Sequence, residues 1–316
     1  MIHTVNATQR NLPKPILPRW AMDRTVPETL SAAGFLSGSA LTLLHVALHD
    51  PTVNVPVDLL RSRLALRAAV HCNKIEGRAV MEAEVRDAFL LTAVGDAMGP
   101  NGDMLAFWRA GTGLNLRSTD WSNRLLALLS DEIGELFPDW LQQSDDLVAS
   151  PVDKAVRILQ AALQQCPRRE SEALLCADAV LSRALGWERV VPLLSISVVR
   201  KLLRSASEGE DNLRHCHTAL ASAAQDAVRL VHDLGRRAAR LHLAVPKLRT
   251  KVAADAVQLF LSEDAVLVSS MLTPTIRGSS TPMTPRSARR FCERLIELGV
   301  ARELTNRPTF RLYGVA

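Results

Sequence analysis

Tyrosine is nearly missing from this chain of 316 residues, which has one, beside seven Phe and five Trp. β-Sheets draw on aromatic and β-branched side chains. A text this poor in aromatics, and 47% hydrophobic largely through Leu, Ala and Val, favours helix. Cysteine is sparse and scattered. Cys72, Cys166, Cys176, Cys216 and Cys292 are odd in number and contain no CxxC pair, which argues against a disulfide framework and for a reducing, cytoplasmic setting. No apolar run is read as long enough for a bilayer, and the proline-rich opening MIHTVNATQRNLPKPILPRW has no signal-peptide core. A membrane is therefore not among the expected partners. Signatures of nucleotide and acyl chemistry are missing as well: no GxxxxGK[ST], no GxGxxG after a strand, no GxSxG. The Gly111-Thr112-Gly113 step lacks its third glycine, and the carboxylate pairs Glu82/Glu84, Asp131/Glu132 and Asp145/Asp146 sit in polar text. The sequence assigns no catalytic residue, no cofactor and no metal.

What is present is positive charge, unevenly placed. Residues 236–316 hold 14 Lys/Arg against 6 Asp/Glu, whereas residues 1–235 hold 24 against 27. A field of that sign attracts phosphate backbones. Inside the basic region, TPRSARRFCERLIELGV reads as a helix: Thr284 suits the N-cap, Pro285 the first helical position, and Gly299 the stop after Leu298. Ala288, Phe291, Cys292, Leu295 and Leu298 share one face, and Arg286, Arg289, Arg290 and Arg294 largely share the other. The closing ARELTNRPTFRLYGVA alternates around a turn at 305–308, as a small antiparallel hairpin would, with Arg302, Arg307 and Arg311 on or beside it. Helix, basic helix and hairpin together predict a winged helix-turn-helix that lays one helix in the DNA major groove.

Upstream, Pro13, Pro15 and Pro18 mark residues 1–26 as an irregular arm. Helical patterns then run over 28–49, 57–77, 81–94, 104–110, 121–136, 151–165, 170–185 and 189–205. Breaks are expected at Gly99-Pro100-Asn101-Gly102, Phe137-Pro138 and Cys166-Pro167. One long helix follows over 211–242. Its Leu213, His217, Leu220, Ala224, Ala227, Val231, Leu234, Ala238 and Leu241 recur at spacings of four and three. That is a heptad seam, suited either to a central helix inside the body or to a homodimer through 211–242. A polar loop over 273–282 looks too long for a minimal helix-turn-helix.

The segment AAVHCNKIEGRAVMEAEVRDAFLL, residues 68–91, resembles the N-terminal region of Fic-family proteins. There a Ser/Thr-x-x-x-Glu-Gly/Asn helix carries a glutamate that restrains the nucleotide site. Cys72 here takes the hydroxyl position, while Ile75, Glu76 and Gly77 match. The closing LIELGVARELTNRPTFRLYGV is similar to the winged helix that ends many Fic-related chains. The chain has no His-Pro dipeptide and no Gly-Asn-Gly, so the base and the phosphate cradle of that family are missing. Glu76 then reads as a structural carboxylate near Lys74 or Arg78. As a whole, the chain resembles an uncharacterised alphaproteobacterial family, often plasmid-borne, known only as a domain of unknown function.

The histidine groups weigh less. His45 and His49 lie one turn apart, whereas His215 and His217 point to opposite sides of a helix, so hydrogen-bonded or solvated histidine is the default for both. The expected architecture is a mainly α chain: an arm at 1–26, a multi-helix body at 27–250, and a winged-helix domain with a small β-hairpin at 251–316. The expected function is a DNA-binding protein, a transcriptional regulator or an accessory factor of a mobile element. Arg286, Arg289, Arg290 and Arg294 would lie in the groove of duplex DNA, with Arg307 and Arg311 on the wing. A catalytically silent Fic-like scaffold that binds a protein partner is the alternative.

Overall fold

A computed structural model describes residues 18–22, 26–93, 95–204, 209–248, 252–305 and 310–316. Thirteen α-helices and three short strands occur among them. Helix α1 (Leu30–His49) starts where Thr29 accepts the Ala32 N–H at 3.2 Å. Its partner is α11 (Glu210–Ala244). Arg214 donates to the Pro27 carbonyl, Ser37 meets His217, and Gly235 meets Val53, so the two helices run in the same direction. A Cβ on Gly235 would stand 2.6 Å from the Val53 carbonyl oxygen. Only glycine admits that approach of the chain after α1 to α11.

The heptad seam faces inward. His217, Leu220, Ala224, Ala227, Val231, Leu234, Ala238 and Leu241 are all buried, and Leu213 is half-buried. Of the two expectations for this helix, the central one is realised within the chain. Helix α1 itself corrects one reading of the sequence: over Leu30–His49 it is long and apolar enough, by length and composition, to cross a membrane. The run contains no Lys, Arg, Asp or Glu, and its Ser, Thr and Gly residues break up the aliphatic text.

Helices α2 (Val57–Ile75), α3 (Glu82–Leu90) and α4 (Gly99–Thr112) pack as a group beside this pair. Three smaller helices follow, α5 (Trp121–Leu126), α6 (Asp131–Gly134) and α7 (Phe137–Asp146), before α8 (Pro151–Gln165) and α9 (Glu170–Ala184) pair closely. Two expected breaks prove to be helix starts. Pro100 opens α4 and Pro138 opens α7, each in the first turn, where a missing N–H costs nothing. The helix expected over 121–136 divides into α5 and α6.

Helix α9 is buried all round from Ala173 to Ser182, the mark of a helix at the centre of a fold. Asp178 is its one carboxylate in that stretch. It accepts the backbone N–H groups of Leu193, Leu194 and Ser195 at 2.8–3.0 Å and the Ser195 hydroxyl at 2.7 Å. This explains a second correction. The pattern predicts helix over 189–205, yet among the described residues there only α10 (Arg200–Arg204) is α-helical. Pro192 has no N–H to give, and the next three amides are satisfied better by Asp178 than by a helix turn. Tertiary hydrogen bonding overrides local propensity.

The C-terminal unit comprises α12 (Ala253–Phe260), β1 (Val266–Leu267), a single wide turn of helix at Val268–Leu272, α13 (Pro285–Glu297), β2 (Ala301–Glu303) and β3 (Leu312–Val315). The strands are antiparallel in the order β1-β3-β2, with Val266 opposite Tyr313 and Ala301 opposite Val315. The polar loop after Leu272 is folded back on itself: Ile276 donates to the Thr281 carbonyl and Met283 to that of Pro274, each at 2.9 Å. Thr281 also ties it to Asp255 of α12.

This unit shares one hydrophobic core with the helices before it. Charged groups close the seam. Arg63 pairs with buried Asp264, Arg109 binds Glu263 at 2.8 Å and Ser62 at 2.9 Å, and Asp264 N–H donates to Ser62 at 3.2 Å. Burial raises the Asp264 carboxyl above its usual range, and Arg63 opposes that shift. From α11, Arg237 donates to the Val315 carbonyl at 3.2 Å and Arg240 to that of Gly299 at 2.7 Å.

Replacing Asp178 by Ala leaves three amides and a hydroxyl buried without an acceptor. It should lower the unfolding free energy by at least about 3 kcal/mol in denaturant titration. A loss under about 1 kcal/mol would mean that Asp178 does not hold the 190–198 segment.

Candidate nucleic-acid interface

Helix α13 forms as its residues dictate. Thr284 accepts the Ser287 N–H at 3.3 Å, Pro285 takes the first helical position, and Gly299 turns the chain at φ +65°. Ala288, Phe291, Cys292 and Leu295 are buried and Leu298 is half-buried, so the expected apolar face is the packed face. Phe291 lies 6.2 Å from Phe260 between ring centroids, which joins α13 to α12. Burial pushes the Cys292 thiol up to about 12, leaving it an inert core side chain.

Arg286, Arg289, Arg290 and Arg294 are all exposed. They are not equivalent. Arg294 is bound to Glu297 at 2.8 Å. Arg286, Arg289 and Arg290 make no side-chain hydrogen bond or ion pair among the described residues. Their three guanidinium groups crowd the first two turns. Arg286, Arg290, Glu293 and Glu297 follow the i, i+4, i+7, i+11 stripe opposite the buried one. The outward face is therefore basic at its N-terminal half and mixed beyond it. Sequence reading overlooked this division, although the spacing of the two glutamates carries the signal.

Arg311 is exposed just before β3, 3.7 Å from Glu303 of β2, and Arg302, next to Glu303 on β2, is exposed as well. Arg307 lies outside the described residues, as does most of the turn expected at 305–308. Thr305 is described, and its hydroxyl accepts the Leu312 N–H at 3.2 Å. Arg302 and Arg311 thus lie on or beside the antiparallel β2–β3 pair.

The other groups singled out in the sequence lie elsewhere. Glu76 caps α2 and is bound on both sides, accepting from Ser171 at 2.6 Å and from Arg78 at 2.5 Å. His49 Nδ1 bonds its own helix at the His45 carbonyl, 2.8 Å away. His215 is exposed and bonds the Asp211 carbonyl, while His217 is buried against Ser37. No group of three or more His, Cys, Asp or Glu placed to hold a metal ion occurs among the described residues.

Two substitutions on α13 separate its faces. Phe291→Ala empties a core position and should cost roughly 3–5 kcal/mol of stability. Arg290→Ala should stay within about 0.5 kcal/mol of wild type. Urea melts read both, and a reversed order would show that the faces are inverted.

A search of curated proteins finds no match to this chain. A family model does match, over residues 4–315, and its description is a protein of unknown function, DUF1403. That span takes in the helices, the three-stranded sheet and the arginine-bearing helix alike, and on it the chain belongs to the DUF1403 family.

Proposed function

We propose that residues 251–316 form a winged helix-turn-helix and that the protein binds duplex DNA through it. The observation that carries this reading is the trio of unpaired, exposed arginines on the first two turns of α13. The order of elements supports it. A helix, a strand, a short helical turn, a longer helix and two strands, with the sheet ordered β1-β3-β2, present α13 on one side of a small core. A helix entering the major groove reads base edges from its N-terminal residues. Arg286, Arg289 and Arg290 occupy that end, where guanidinium can bind guanine O6 and N7 or phosphate bidentately. Glu293 and Glu297 repel phosphate, so contact is confined to the first half of the helix. Arg294 is held back by Glu297, and Arg311, with Arg307, would flank the neighbouring backbone.

A role in transcription or in a mobile element fits such a module, with 27–250 as the body that carries it. The alternative, a silent Fic-like scaffold for a protein partner, rests on residues 68–91, and there Glu76 is engaged by Ser171 and Arg78.

Mobility shift across a salt series tests the proposal. The wild type should bind duplex DNA at low salt. Its affinity should fall linearly on a log–log plot, with a slope of about 0.9 per phosphate contacted. Arg286→Ala, Arg289→Ala and Arg290→Ala combined should abolish the shift at moderate salt while the melt is unchanged. Folded protein that gives no shift even at low salt would overturn it.

A further inference from the structure

A cavity of about 660 Å³ lies far from α13, where the N-terminal ends of α1, α8 and α11 meet. Leu30 and Leu41 of α1, Val152 of α8, Leu185 and Leu213 make it largely apolar. Two glycines open it. Gly34 and Gly38 line the cavity on successive turns of α1, and a Cβ built on either would meet nothing within 4 Å. Packing therefore does not require glycine at these positions, although glycine in a helix interior costs about 1 kcal/mol against alanine. What the two glycines provide is open space.

The polar groups around that space are mostly satisfied, and the way they are satisfied selects a ligand. Between the glycines in sequence, Ser37 is buried and lies 2.7 Å from His217 Nδ1. On the other side of the ring, Nε2 faces Asp153 at 3.4 Å. A carboxylate only accepts, so the ring proton sits on Nε2, and the Ser37 hydroxyl, which also donates to the Gly34 carbonyl at 3.0 Å, shares its one proton between that carbonyl and Nδ1. The second oxygen of Asp153 accepts the Ser150 N–H at 3.3 Å, and Ser150 in return accepts the Asp153 N–H at 3.1 Å. This floor offers no free cation, and Asp153 beside it opposes an anion.

Donors remain at the rim. The Trp187 indole donates to His45 Nδ1 at 3.1 Å, which puts the proton of His45 on Nε2, and His45 lines the cavity. In the first turn of α8, Lys154 N–H is taken by the Ser150 carbonyl and Asp153 N–H by its hydroxyl. Val152 N–H is one of the amides that a helix start leaves without an intrahelical acceptor, and Val152 also lines the cavity. Apolar walls, spare N–H donors and a resident carboxylate suit an uncharged acceptor.

We propose that this cavity binds a small, neutral, largely apolar molecule through a carbonyl oxygen. The site stands apart from the DNA reading and does not depend on it.

A solvatochromic ketone, 6-propionyl-2-(dimethylamino)naphthalene, is a suitable probe, because it is neutral, apolar and carries one carbonyl. Titrated with the full chain, it should bind saturably at one site per chain, with blue-shifted emission. 2-(Dimethylamino)naphthalene lacks the carbonyl and should bind about tenfold more weakly, the worth of one hydrogen bond. Gly38→Leu should fill the cavity and abolish binding, yet melt no lower than wild type, since it enters open space and improves helix propensity. Should Gly38→Leu fail to fold, Gly34→Leu provides the same block from the neighbouring turn. Absence of saturable binding, or binding that survives in a folded blocking variant, would overturn the site. Equal affinity for the two naphthalenes would overturn its assignment to a carbonyl ligand.

Discussion

Two helices running in the same direction cannot be joined by a short turn, and the parallel packing of α1 on α11 sets the terms for the rest of this fold. The chain between His49 and Glu210 must travel out and back to return α11 to the start of α1, and α2 to α10 are built in that excursion. Closing so long a connection costs entropy before any contact repays it. The repayment is visible along the seam, from His217 to Leu241, where the side chains are buried. Gly235 lets the α1–α2 connection close over that seam. The same helix then runs on to the C-terminal unit, where Arg237 and Arg240 hold the carbonyls of Val315 and Gly299. One helix of 35 residues thus reaches from the cavity at its first turns to the proposed DNA-contacting unit at its last.

A second constraint lies within the excursion. The central helix α9 has no solvent-facing side between Ala173 and Ser182, and its Asp178 fixes the non-helical segment that crosses it. Buried carboxylates survive when their lone pairs are taken, and here backbone amides take them. The joint to the C-terminal unit is held differently: the buried Asp264 carboxylate has the charge of Arg63 beside it but no hydrogen bond among the described residues, while the Ser62 hydroxyl is shared between Arg109 and the Asp264 amide.

The parts of this structure that were legible in the sequence are those set by local chemistry. Thr284, Pro285 and Gly299 bounded α13 correctly, and the 3.6-residue period found its buried face. The seam of α11 was equally plain. Proline misled where it opens helices, at Pro100 and Pro138, because the same residue ends one helix and starts another and only the caps distinguish the two. The segment 189–199 was beyond local reading, since its partner, Asp178, lies on another element. In the candidate interface, the arginines stand out in the sequence, but the pairing of Arg294 with Glu297 is seen only in the folded chain. The cavity was illegible. It depends on Gly34 and Gly38 meeting His217 and Asp153 across three helices, and no spacing in the sequence announces that meeting.

The central functional claim is that the N-terminal half of α13 lies against DNA while its apolar face stays packed. Hydrogen–deuterium exchange of the full chain, with and without saturating duplex DNA, reads this directly. Slowed exchange should be confined to the loop before Pro285, the first turns of α13 and the β2–β3 hairpin, with α1 and α9 unchanged. Protection centred on the helical body, with α13 unaffected, would contradict the account.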